Sequence, residues 1–285
     1  LPNLVHLDLD ASTDSMSVWL PNLAGMTALE SLRLHAVADY GLLGQYLPNQ
    51  LRSLSFSSRK MLPPESSRQL CLALQSYTNL THLSEPPTPF NIRDRELQLQ
   101  WLNWYANSAV KELKCHAENS GQDMIWPETI PPMKHLRSLD CSSYPNWASV
   151  VSQHTQLTWL SLHECTIEPL DILQRLNQLQ QLYISEPVSA AFFKLVWPEL
   201  TDLKVTLNSD DLVADFHGFL DNHPSLSQLH LTLGLQTVEC YVACWKHVVQ
   251  LPQLVKLTMR NIHGSAGKRW MKLDSINPNL REIRR

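Results

Sequence analysis

Leu157-Thr158-Trp159-Leu160-Ser161-Leu162 places leucines at steps of three and two, with other residues between them. In a short strand alternate side chains face opposite ways, so Leu160 and Leu162 point to one side and Trp159, Ser161 and His163 to the other. Leu157 enters the apolar side from the preceding turn. The same L-x-x-L-x-L pattern returns unaltered at Leu4-Leu7-Leu9, Leu29-Leu32-Leu34 and Leu226-Leu229-Leu231. With apolar substitutions it recurs at Leu51-Leu54-Phe56, Val110-Leu113-Cys115, Leu136-Leu139-Cys141, Leu179-Leu182-Ile184, Leu200-Leu203-Val205 and Leu254-Leu257-Met259. Two copies are damaged: Leu80-Leu83 is followed by Glu85, and Leu280-Ile283 by Arg285.

The twelve motif starts are separated by 25, 22, 29, 30, 26, 21, 22, 21, 26, 28 and 26 residues. Of the 36 key positions 34 are apolar and 26 are leucine, whereas the chain's 50 leucines in 285 residues would place about 6 there at random. One such unit cannot bury its own leucines, so neighbours must stack and share a continuous core. The strands then form a parallel sheet on the inside of a curve, and the longer return segments cover the outside.

Composition agrees with a packed chain. The hydrophobic fraction is 44% and the charged fraction 18%, enough apolar material for a core and not the pattern of disorder. A net charge of −4 gives no general reason to expect nucleic acid as a partner. The longest apolar stretches, such as Val188 to Trp197, are interrupted (here by Lys194) and fall well short of the ~20 residues of a membrane span. With 8 glycines there is little scope for a phosphate-cradling loop.

The motif resembles that of the leucine-rich repeat superfamily, and the resemblance covers essentially the whole chain. It implies an α/β fold: a right-handed solenoid, or horseshoe, of about twelve repeats in a single domain over residues 1–285. The family's ninth repeat position, an Asn or Cys that satisfies turn backbone groups, is met by Asn208 and Cys165. Elsewhere it holds residues such as Ser12, Val37, Arg59, Glu118 and Tyr144. The uneven spacing is similar to intracellular ribonuclease-inhibitor-like and F-box repeats, or to those of plant immune receptors. The function this implies is non-catalytic recognition of a protein partner on the concave sheet. Its settings would be substrate capture for a ubiquitin ligase, ligand sensing in an intracellular immune receptor, or scaffolding. The chain begins inside one motif and stops where a core leucine is due, so it is expected to be a segment of a longer protein.

Among the return segments, Ser66 to Tyr77, Asp94 to Ala106, Asp211 to Asn222 and Tyr241 to Gln250 are expected to be helices, the third capped by Asp210 or Ser209. Glu85 to Pro89 and Trp126 to Pro132 each contain three prolines and are expected to form loops.

Six cysteines could make three disulfides, but Cys115 and Cys141 take leucine positions and Cys165 the buried ninth position, where free thiols act as small apolar groups. Reduced thiols and an intracellular, cytoplasmic setting are expected. Cys240, Cys244 and His247 would share one helix face at zinc-ligand spacing, but no fourth ligand accompanies them. Asp140, Ser142, Ser161 and His163 come onto adjacent strands, yet a flat strand ladder offers no strained turn or oxyanion hole to activate a serine. No enzyme activity, metal or cofactor is expected.

The outward positions define the contact surface. Most are small or polar, and Trp159 and Tyr183 stand out because an exposed aromatic has no core role. Trp159, His163 and Tyr183, with Asp140 and Gln181 alongside, are the expected partner-binding residues. The alternative for Trp159 is that return-loop residues fold over it and bury it. From Leu254 to Arg285 eight basic residues face two acidic ones, an asymmetry that favours an acidic partner or describes a solvated solenoid end.

Overall fold

The computed structural model describes residues 3–10, 16–35, 43, 45–57, 64–84, 95–114, 130–141, 146–261, 279 and 282–284. The protein is mixed α/β, with parallel strands in its sheets. It divides into two compact units, Leu1–Asp140 and Cys141–Arg285, at a boundary that no shift in composition marks.

In the first unit the strands β1 (His6–Asp10), β2 (Ser31–His35), β3 (Ser53–Ser57) and β4 (His82–Ser84) form a parallel sheet in chain order. A further pair, β5 (Glu112–Lys114) and β6 (Ser138–Asp140), is also parallel. The described helices of this unit include α1 (Met16–Leu23), α2 (Pro64–Leu74) and α3 (Arg95–Asn107). In the second unit β7 (Trp159–Leu162), β8 (Gln181–Pro187), β9 (Asp202–Leu207), β10 (Gln228–Leu233), β11 (Lys256–Asn261) and β12 (Glu282–Arg284) lie side by side in chain order. Its described helices are α4 (Trp147–Ser152), α5 (Leu170–Gln174), α6 (Val213–Asp221) and α7 (Val238–Gln250), with 3-10 turns at Phe192–Lys194 and Asp210–Leu212.

Strand register follows the motif. Leu7, Leu32, Leu54 and Leu83 face one another across β1–β4, and Leu160, Leu182, Leu203, Leu229, Leu257 and Ile283 across β7–β12. A one-residue slip would turn every core leucine to the opposite face, so burial itself holds this register. The first leucines are as well buried as the strand ones: from Leu29 to Leu254 no residue in that column is more than 2% exposed. Removing each such side chain from water stabilises the fold by about 1.5–3 kcal/mol. On β1, at the edge of its sheet, Leu7 and Leu9 are only half-buried.

A turn precedes most of the described first leucines. The N–H of Leu29, Leu80, Leu136, Leu157, Leu179, Leu200, Leu226 and Leu254 donates to the carbonyl three residues earlier, at 3.0–3.4 Å. Pro198, Pro224 and Pro252 occupy the second turn position, where a fixed φ is pre-organised for this geometry. From Tyr77 onward the residue that opens the turn is buried even when polar, as at His154 and His223. Each of these imidazoles bonds through Nδ1 to the carbonyl four residues back, Val150 or Phe219, at 2.6 Å. The Trp197 N–H donates to His223 Nε2 at 3.0 Å, so both ring nitrogens of His223 are used.

The length of each repeat decides its outer element. The repeats of 21 or 22 residues between Leu136 and Leu200 carry only the five- or six-residue α4 and α5, or one 3-10 turn. Those of 28–30 residues carry α2, α3 and α7, of 11 to 13 residues. All four expected helices are present with shifted ends. Helix α2 starts at Pro64, which needs no N–H in the first turn, and stops at Leu74 because the chain must turn before Leu80. Helix α7 starts three residues early because Thr237 accepts the Cys240 N–H. The segment from Asp211 to Asn222 begins as a 3-10 turn before α6. Ser209 accepts the Asp211 N–H there, whereas Asp210 accepts from Gln236 and Thr237 of the next repeat. Glu85 to Pro89 and residues 126–129 lie outside the described residues; residues 130–132 are not helical.

The repeats are also tied together by aromatic donors. The indole N–H groups of Trp104, Trp147 and Trp197 donate to the carbonyls of Leu74, Thr166 and Leu173, and the Tyr77 hydroxyl to that of Leu47. Leu74 and Leu173 lie in the last turns of α2 and α5, whose carbonyls have no partner within the helix. Cys165 performs the expected ninth-position role, its thiol donating to the Cys141 carbonyl at 2.7 Å. Asn208 does not: it is exposed, because the chain leaves β9 into the Ser209-capped 3-10 turn and carries residue 208 outward.

Candidate functional site

On the outward face of the second unit, β7 and β8 pair Trp159 with Gln181 and Ser161 with Tyr183. Trp159 and Tyr183 are therefore diagonal neighbours, within reach for large side chains. Their rings meet edge to face, with centroids 5.7 Å apart and planes at 80°. Both are half-buried, so Trp159 is neither enclosed core nor fully solvated.

Tyr183 links this pair to a buried carboxylate. It donates its hydroxyl to Asp202 Oδ2 at 2.8 Å. Burial pushes its pKa up to about 12, with the Asp202 carboxylate adding to the shift. Asp202 belongs to the outward column of β9, yet it is only 4% exposed. Tyr183 and His230 flank it; the His230 ring is 6.4 Å from that of Tyr183, and its Nε2 is 3.8 Å from Asp202 Oδ1. That distance is an electrostatic contact, not a hydrogen bond, and Asp202 Oδ1 is buried without a hydrogen-bond donor. Burial lowers the His230 pKa; Asp202 pulls it upward and Lys256, Lys204 and Arg260 oppose that pull.

The expected residues fall in both units. Trp159, Tyr183 and Gln181 form one patch. His163 follows β7, is exposed, and has its Nδ1 3.8 Å from a carboxylate oxygen of Glu164. Asp140 ends β6 in the first unit and is 8% exposed. The carboxylate beside the aromatic pair is Asp202, an outward position of β9 that periodicity alone does not distinguish from its polar neighbours. Register carried the missing signal: Gln181 and Tyr183 pair directly with Asp202 and Lys204.

The remaining motifs resolve locally. Cys244 is buried, with its thiol pushed up to about 12 by burial, whereas Cys240 is half-buried on the same helix. His247 stacks on His217 at 4.1 Å and places Nε2 3.0 Å from Asp221 Oδ1, so it engages α6. Ser142 and Cys115 lie outside the described residues, as does most of the basic segment after Asn261. Among the described residues, Cys71, Cys141, Cys165, Cys240 and Cys244 are free thiols. No described helix is long and apolar enough to cross a membrane.

No protein-family model and no curated protein matches this chain. Among solved structures, internalin C2 from Listeria monocytogenes str. 4b F2365 is similar over 83% of this chain and 74% of that one, at 14% identity and a TM-score of 0.31. So loose a superposition carries no argument, and the fold rests on the registers and buried columns themselves.

Proposed function

We propose that this protein is a non-catalytic recognition module that binds a protein partner on the outward face of its parallel sheet. The observation that carries this is the Trp159–Tyr183 pair, half-exposed and locked by the Tyr183–Asp202 hydrogen bond. Aromatics held in place on a sheet lose little entropy on binding and supply the kind of anchor that dominates protein interfaces. Gln181 and His163 extend the contact surface. The right-handed horseshoe winding and the single repeat domain implied by the resemblance belong to the same proposal. So does Asp140 as a contact made by the other unit. A ubiquitin-ligase substrate receptor is the setting we favour, on the resemblance alone; immune-receptor sensing and scaffolding are its alternatives. The buried free thiols support an intracellular location.

The test is site-specific photo-crosslinking in an extract of the source cells. A benzophenone side chain at Ser161 or Gln228 should give a discrete protein adduct, and one at Leu99 on α3 should not. Adducts from Leu99 alone, or from neither face, overturn the reading.

A further inference from the structure

We infer that the outward face of β9–β11 receives an acidic peptide segment of the partner, its carboxylates held by Lys204, Lys256 and Arg260 beside the Trp159–Tyr183 pair. The inference rests on the recognition reading above and adds the chemistry of what is recognised. Three outward positions per strand over β7–β11, counting His163 just past β7, make fifteen, of which three are cationic. One is acidic, Asp202, and it is buried and bonded to Tyr183. Over β7–β11 a ligand reaching this surface therefore meets three cationic side chains, of which Lys256 also has Glu282 as its cross-strand neighbour on β12.

Register fixes where the charges stand. Lys204 pairs with both Tyr183 and His230, Lys256 lies two strands from Asp202 through Gln228, and Arg260 lies two strands from Thr206 through Thr232. Lys204 and Arg260 are exposed and Lys256 is half-buried. All three act on His230, which places it within their common field. With strands ~4.8 Å apart, these cations stand on the order of 10 Å from one another, a span of three or four residues of extended chain.

The surrounding charges frame the surface. Glu164 and Glu186 immediately follow the third outward column on the β7–β8 side. The columns continue on β12 with Glu282 and Arg284. Asp215, Asp221 and Glu239 lie on α6 and α7, away from the sheet. Three cations amid a chain of net charge −4 are too few for a nucleic-acid track, which needs a strongly basic domain, but they suit a short acidic peptide.

The experiment selects binders from a random-peptide phage library on the intact protein, then measures affinity for the synthesised winners. Folding of every variant is checked by circular dichroism. Enrichment in Asp and Glu is expected, with binding weakened at least about tenfold in K204Q/K256Q/R260Q and as salt rises from about 0.05 to about 0.5 M. The reversal K204E/K256E/R260E should abolish it. Winners that lack acidic enrichment and tolerate these variants, but lose affinity in W159A, overturn the charge inference and leave the recognition reading standing. Winners indifferent to W159A and to the charge variants overturn both. A fluorescein-labelled single-stranded oligonucleotide that binds, and is lost in K204Q/K256Q/R260Q while no peptide is selected, assigns the surface to nucleic acid and also overturns the inference.

Discussion

Tyr183 donates its hydroxyl to Asp202 Oδ2 at 2.8 Å across two parallel strands, and that bond holds a buried carboxylate and a half-exposed aromatic in one rigid unit. The carboxylate's other oxygen has no donor, so Tyr183 is its main protection against the cost of burial.

Tyr183→Phe should therefore destabilise the protein by about 1–3 kcal/mol, the usual effect of depriving a buried acceptor of its donor. The check is urea denaturation of Y183F, D202N and the double variant. A coupling of about 1 kcal/mol or more is expected from groups in direct contact. Additive effects would mean that the bond contributes nothing to the fold.

At Trp159 binding and stability should separate. Trp159→Ala is expected to weaken partner affinity by about 2 kcal/mol while sparing the fold, because the indole is half-buried and its ring contact is with the equally half-buried Tyr183. Affinity and the thermal midpoint are measured on the same variant. A fall of many degrees in the midpoint with binding unchanged would make Trp159 a core residue.

His154 and His223 should make the protein sensitive to acid. Burial lowers both pKa values below the ordinary 6.5, against the opposing pull of their backbone hydrogen bonds. His217 and His230 are lowered by burial as well. Below 6.5 the unfolded chain takes up protons that the folded protein refuses, so stability is complete above that value and falls as the pH drops toward the folded pKa values. The slope can reach ~1.4 kcal/mol per pH unit for each histidine. Denaturation curves from about pH 7.5 to about pH 5 measure it, and NMR titration should show the His223 ring still neutral at its ordinary pKa. A His223 ring that titrates at or above 6.5 would contradict this account.

The cysteines should react in a fixed order. Burial pushes the Cys71 and Cys244 thiols up to about 12, so neither is available as thiolate in the folded protein. Among the described cysteines, half-buried Cys240 should label first with Ellman's reagent. After unfolding without reductant all 6 cysteines should be countable. Two or more protected pairs would instead indicate an oxidising compartment.

Sequence alone determined the strand positions and the core. The L-x-x-L-x-L spacing sets which side chains share a face, and that local periodicity needs no knowledge of neighbours. Each described strand begins at the residue between the first and second core positions of its motif, from His6 and Ser31 to Lys256 and Glu282. What only the tertiary structure decided depends on contacts between repeats. Trp104, Trp147 and Trp197 look like ordinary apolar residues in sequence, and their role appears only when the carbonyl of another repeat comes within reach. Asp202 reads as one more polar residue of an exposed column until Tyr183 and His230, 19 and 28 positions away in the chain, close around it. Periodicity specifies the direction of a side chain, whereas burial and charge are set by what the adjacent strand places beside it.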